Sequence, residues 1–510
     1  MDITWTLLVI LSTLLLYLYM KFKSYHKYWE RKGVAHVKPL PIVGNMLDVL
    51  LMKRSNGELY ADMYFRFPNE KVVGLYEVFK PVLVIRDTEL IEKILVKDFQ
   101  YFVDHAPIIE EDGLFSKGLF QLRGGVWRSV RYKLSPAFTS GKLKLIFDDM
   151  VECTSDMINE VKKNINKDYE IKNAVSNYTL DVMANTVFGI KINDKNARAE
   201  FLKMGSEIFD VKPFRFMCIL ALSLFPKFSK LLGIKFLSKE TTQYFLEILK
   251  NTFDQRSNGK NQRNDYLQHL IRLKERGSIE IQSKDDEDLY LDLDGKAPLE
   301  NVEITEHLLY GQAFQFLTAG FEPLYNTIVI TLYDMCRFPE TQEAARNEIK
   351  EVLAKHGKFT YQAVKEMTYL EQCVQETLRM HPLTPFLFRE CTKNYITDDG
   401  LEIEKGQKII IPLDGIHMDP KYYPNPEVFK PDRLPPNSIR NNFTYMPFGD
   451  GPRMCIGLRF AMVELKLAIA KLLDNFKFSL SPKTKVPFEI NKLSFLPVPT
   501  TKLLFNITPV

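Results

Sequence analysis

The sequence predicts a mainly α-helical protein with a small β-rich region and one N-terminal helix that spans a membrane. Three observations carry this. Helical periodicity dominates residues 89–250 and returns at 302–338, 360–380 and 458–476. β-branched alternation is confined to residues 72–86 and 401–413. An uncharged run, Ile3 to Met20, approaches the ~20 residues that a helix needs to cross a bilayer.

That first run is followed by Lys21, Lys23, Lys27, Arg31 and Lys32, with Tyr17 and Tyr19 suited to the interface. The positive-inside rule then puts the remaining chain in the cytosol. A cleaved signal peptide is the rival reading. Against it, the leading end lacks basic residues and no small-x-small site closes the run. The expected organisation is an anchor at 1–22, a basic, proline-rich linker at 23–45 and a catalytic domain at 46–510. In the linker, Pro39 and Pro41 keep the chain extended before Gly44 permits a turn.

Composition narrows the class. The 510 residues are 45% hydrophobic and 26% charged, which suits a folded globule rather than a disordered chain. Basic and acidic residues number 68 and 64, so charge gives no reason to expect nucleic acid. Six cysteines lie far apart with no C-x-x-C spacing, which favours a reducing compartment over a disulfide framework or a zinc site.

Along the chain, the runs at 72–76 and 82–86 predict a hairpin turning at Lys80-Pro81. Residues 265–276 predict a short helix, and the acidic stretch 278–300 a solvated loop. Residues 302–338 predict one long helix, apolar nearly all round toward Phe316 and Ala319, running through a large core. Residues 209–236, rich in Phe, Leu and Lys, fit two buried helix ends with a loop or an apolar lip dipping into a membrane.

The most informative stretch is Phe448-Gly-Asp-Gly-Pro-Arg-Met-Cys-Ile-Gly457. It places Cys455 just before a helix, where free N–H groups stabilise a thiolate. Its glycines let the backbone approach a flat ligand, and Arg453 sets a cation two residues from the sulfur. The pattern F-x-x-G-x-R-x-C-x-G before a helix resembles the haem-binding loop of the cytochrome P-450 superfamily. Other segments share the resemblance, in order: Trp127-Arg-Ser-Val-Arg131, Glu376-Thr-Leu-Arg379, Arg389 and Phe429-Lys-Pro-Asp-Arg433. The wording of several of these looks like microsomal arthropod enzymes that oxidise foreign compounds.

The resemblance implies a P-450 fold with a haem iron held by the Cys455 thiolate. It implies haem contacts from Phe448, Arg453 and Gly457, propionate partners in Trp127, Arg131 and Arg389, and a structural triad of Glu376, Arg379 and Arg433. It implies an NADPH-dependent haemoprotein reductase as electron donor, with cytochrome b5 as a second candidate, and O2 and a lipophilic small molecule as substrates. The location implied is the endoplasmic reticulum membrane. Arg128, Lys133, Arg440 and Arg459 are candidates to dock the reductase. Pocket walls are expected from residues 102–122, from Phe314, Ala319 and Phe321, from residues 382–387 and from a turn near Phe495.

One position departs from the family. Ala319-Gly320-Phe321-Glu322-Pro323 has proline where the family usually has a threonine that helps deliver protons to dioxygen. Protons would then come through ordered water near Glu322 or from the substrate. The reading is a monooxygenase. The alternatives are an isomerase or dehydratase acting on an already oxygenated substrate, and a haem-retaining binding protein without turnover.

Overall fold

The computed structural model describes residues 3–106, 113–190, 192, 194–209, 211–257, 265–279, 300–435, 443–494 and 496–510. The chain divides into two compact units, and most of the helix lies in the second.

The first unit comprises residues 1–106, 385–422 and 443–446. Its four-stranded sheet has the order Val72–Glu77, Lys80–Ile85, Lys408–Ile411, Leu387–Glu390. The outer pairings are antiparallel and the central one is parallel. Alternation builds this sheet: Leu83, Ile85, Ile409 and Ile411 project into one core with Trp29, Tyr64, Ile91 and Phe102. The hairpin forms, but its register pairs Glu77 with Lys80, so the turn is Val78-Phe79. Lys80-Pro81, expected as the turn, belongs to the strand. Val78 has φ +62°, a left-handed conformation that tight hairpin turns require.

The N-terminal segment of this unit is helical over Ile3–Tyr25. Among the described residues no helix is long and apolar enough to cross a membrane. The anchor reading therefore rests on the sequence.

The second unit comprises residues 107–384, 423–442 and 447–510. Long helices Ser140–Lys162, Lys172–Phe188, Glu322–Arg337 and Leu458–Asn475 pack on one another. Local sequence sets several boundaries. Asp265 caps the helix Tyr266–Arg276 by accepting from the Gln268 N–H, and Thr305 caps Glu306–Ala319 through the Leu308 N–H. At the far end of Leu458–Asn475, buried Arg346 donates to the carbonyl of Leu473 in the helix's last turn and to that of Phe476 just beyond it.

The single helix expected over 302–338 is corrected. Val302–Glu303 is a strand paired with Ser278–Ile279, and the chain then forms two helices, Glu306–Ala319 and Glu322–Arg337. The first ends as the Gly320 N–H bonds to the Phe316 carbonyl, and the second begins as Tyr325 bonds to Phe321. Pro323 falls in the first turn of the second helix, where a missing N–H costs nothing. The proline opens a helix rather than kinking one. The acidic loop lies mostly outside the described residues, as do Arg440 and Phe495.

Candidate functional site

The loop before the helix Leu458–Asn475 is fixed by its own residues. Gly449 and Gly451 sit at φ +72° and +69°, a region a side chain resists. Asp450 accepts from the Gly451 N–H, and Pro452 starts a short 3-10 turn, Gly451–Arg453. The Cys455 N–H then donates to the Phe448 carbonyl at 2.9 Å, closing the loop. Among the described residues no side chain caps the following helix at Gly457. Instead the Cys455 sulfur lies beside the backbone of Gly457 and Leu458, which favours its charged form. Helix N-termini favour negative charge, so this is where a thiolate is stabilised.

Cys455 is the one exposed cysteine of the six, yet Pro452 and Arg453 beside it are buried. Burial still pushes its thiol above the usual range, while the two amides and the charge of Arg131 pull it down. A sulfur that is reachable by solvent and also desolvated lies in a concavity rather than on an open face.

Arg453 stacks its guanidinium on the Trp127 ring, 3.9 Å from the centroid, and donates to the Leu122 carbonyl at 2.8 Å. Trp127 is itself buried in the helix Gly124–Leu134, and Arg131 follows one turn later. The structure thus brings together Trp127, Arg131, Arg453 and Cys455. Cation–π stacking of Arg453 on Trp127 was not legible in the sequence, because 326 residues of chain, by number, separate two motifs that each made sense alone.

Arg389 belongs to the sheet-bearing unit. It is 2% exposed, its Nη1 donates to the Phe388 carbonyl, and its Nε has no hydrogen-bond partner among the described residues. Burial lowers its pKa to about 10. A buried charge left so is costly, by several kcal/mol on the usual scale. The donor set therefore fits an anionic group such as a carboxylate, and a haem propionate is one.

Glu376 and Arg379 are both fully buried and pair through two bonds of 2.9 Å, from Nε and Nη2. The Arg433 Nε lies 2.9 Å from the Glu376 Oε1, and the backbone N–H of Lys430 donates to the same oxygen. The two arginines also reach main-chain carbonyls of Pro424, Asn425, Pro426 and Val428. One carboxylate thereby pins the irregular segment 424–433 to the helix Thr368–Met380.

At the break between the two central helices, Ala319 is exposed, and Gly320 and Pro323 are half-buried. Glu322 is buried and its Oε1 accepts from the Tyr325 hydroxyl at 2.8 Å. The i, i+3 spacing of those two residues is the signal that could have found this bond. The hydroxyls of Thr318 and Thr327 turn back onto the carbonyls of Gln315 and Pro323. Phe314 and Phe321, expected on the pocket wall, are corrected to core. Phe314 packs edge-on against Phe245 at 5.2 Å, and Phe321 against Tyr325 at 5.4 Å. Phe314 thus faces the helix Lys239–Ser257, and Phe321 folds onto the first turn of the helix that it precedes.

A sequence model of the family described as Cytochrome P450 matches residues 35–505. The chain belongs to the cytochrome P450 family. Among its relatives, Cytochrome P450 6k1 of Blattella germanica is 37% identical over 494 residues, covering 96% of this chain and 94% of that protein. Probable cytochrome P450 6a14 of Drosophila melanogaster is 36% identical, covering 92% of each, and Cytochrome P450 9e2 of Blattella germanica is 35% identical, covering 96% and 95%. The protein is accordingly a monooxygenase, an oxidoreductase whose cofactor is haem. The mainly helical architecture with small sheets agrees with the family's fold.

Proposed function

We propose that this monooxygenase inserts one oxygen atom from O2 into a lipophilic small molecule, with electrons passed from NADPH by a reductase. The observation that carries the site is the Cys455 residue, exposed at a helix N-terminus between buried Arg453 and the half-buried Gly457. Bound there, haem supplies the redox chemistry of oxygen activation, with the thiolate as its donor of electron density.

The chain's own residues do the rest. Cys455 holds the metal, and Phe448 and Gly457 shape the loop around it. Trp127, Arg131 and Arg453 would hold and orient a propionate, and the buried Arg389 guanidinium would pair with an anion of the same kind. Glu376, Arg379 and Arg433 keep the segment leading to the loop in place. Ala319 leaves exposed surface at the helix break, Gly320 lets Met183 pack close against it, and Glu322 holds or passes a proton there. Tyr325 fixes the carboxyl of Glu322 from one side, so this role needs no hydroxyl at position 323.

The location proposed is the endoplasmic reticulum membrane, with residues 1–22 as a single-pass anchor and the catalytic domain, residues 46–510, in the cytosol. Support comes from the uncharged run Ile3–Met20 and the cations after it. Further support comes from an apolar lip: Phe214 is 83% exposed and Leu231 81%, with Met217, Phe228 and Leu232 also exposed. A patch of that kind on a soluble face is unusual and suits a bilayer surface. Exposed Arg459 and half-buried Arg128 and Lys133 are proposed to meet an acidic reductase.

The test is a product screen of purified protein with a reductase against lipophilic compounds, with and without air. Labelled oxygen from O2 should appear in product only with air and NADPH. Product formed anaerobically without NADPH would favour rearrangement or dehydration, and a ligand-induced spectral shift with no product under either condition would favour binding alone.

A further inference from the structure

The segment Gly113–Leu122 is a compact series of turns, and it is tied to the central helix Glu306–Ala319 by two glutamines. Gln315 accepts from the Phe120 N–H through its Oε1 at 2.9 Å. Gln312 donates through Nε2 to the Lys117 carbonyl. The two surfaces touch closely enough that each needs a glycine. A Cβ on Gly118 would fall 2.1 Å from the Gln315 Oε1, and one on Gly311 would fall 2.6 Å from the Lys117 Cβ and 2.8 Å from its backbone carbon. The second clash is with backbone and cannot be relieved by a rotamer. The Gln312 Nε2 also donates to the Leu308 carbonyl of its own helix at 3.2 Å, while its Oε1 is buried without a partner among the described residues, so the amide is turned to serve the Lys117 carbonyl at the cost of its acceptor.

The segment has two other anchors. Arg453 of the cysteine loop donates to the carbonyl of Leu122, and Phe115 packs against Phe236 at 4.7 Å. Gln312, Gln315 and Ala319 follow at i, i+3 and i+7, so they line one face of the helix. That face leads from the tied segment to the exposed Ala319 at the helix break.

We propose that Gln312 and Gln315 form a clasp that holds residues 113–122 closed over this face, and that the clasp limits the size of ligand admitted beside Ala319. The proposal rests on the reading of the site as a haem monooxygenase taking lipophilic compounds. Gln312 and Gln315 are positioning residues in it, acting through the segment they hold. Bulky ligands bind by releasing the Gln315–Phe120 bond; small ones leave it made.

The test uses the full-length holoenzyme with Gln315→Leu, which removes the acceptor, and Gln315→Glu, which keeps one. Amide hydrogen exchange at Phe120 should quicken about fivefold in Gln315→Leu, the scale of one lost hydrogen bond, and return to the wild-type rate in Gln315→Glu. Optical titration with imidazole and with clotrimazole should show clotrimazole gaining affinity relative to imidazole in Gln315→Leu alone. Unchanged exchange at Phe120, or equal changes for both ligands, would overturn the clasp. Exchange needs no turnover, so it reads the clasp independently, whereas a wild-type chain that bound no haem would sink the haem reading alone.

Discussion

Two regions of the second unit carry a glycine and a proline in close succession, and they use them differently. In Gly449-Asp-Gly-Pro452 the glycines are needed for conformation: two stand at left-handed φ, and the proline starts a short turn. In Gly320-Phe-Glu-Pro323 the glycine is needed for space. Its φ is −90°, open to any residue, but a Cβ there would meet the Met183 sulfur at 2.3 Å. The first device is local and travels with its sequence motif. The second depends on a methionine from a distant helix, which no reading of residues 302–338 contains. Both prolines sit in the first turn of the element they open, where the absent N–H was never going to be bonded.

Breaking the cysteine side should have the largest effect. Glu376→Ala strands two arginines, one of them fully buried, and should cost about 3–5 kcal/mol, the range for breaking a buried pair by removing one partner. Thermal or denaturant unfolding of the holoenzyme measures it. A loss under ~1 kcal/mol would mean that the ion pairs are no more than surface pairs in energy.

Glu464 sharpens the same side. It lies on the cysteine helix, is 0% exposed, and neither carboxyl oxygen has a hydrogen-bond partner among the described residues. Burial raises its pKa well above 4.5, so the folded protein holds this proton more tightly than the unfolded chain. Stability from this group is then complete below that ordinary value and is lost as pH climbs toward the folded value. Glu464→Gln should unfold at a higher temperature than wild type above pH 4.5, with the gap widening as pH rises. A pH-independent gap would place a charged carboxylate there after all.

The smallest effect is expected at the helix break. Pro323→Thr gives up about 0.4–1 kcal/mol of restriction on the unfolded chain. The break should persist, since Gly320 and Met183 still hold it, and the residue 323 amide should exchange fast. Protection of that amide to the level of a helix interior would show that the proline alone divides the helix.

The sequence made one side of this comparison plain and half of the other. The Cys455 loop, the Glu376–Arg379 pair and the β-rich strands follow from spacing and turn chemistry, which are local. Pro323 marked a disturbance in the central helix, but the rule that proline favours a helix's first turn was needed to read it as a start. Phe314 and Phe321 looked fit for a pocket wall because their hydrophobicity does not say which way a helix is turned. Glu464 was hidden for the converse reason. An acid four residues after Phe460 shares its buried face, and nothing in residue type alone discloses that.

The most direct measurement is the carbon monoxide difference spectrum of the reduced, haem-loaded protein, wild type beside Cys455→Ser. The wild type should show the long-wavelength band of a thiolate-ligated iron, and the variant should lose it. A band that survives in the variant, or is missing from a fully loaded wild type, would contradict the assignment of Cys455.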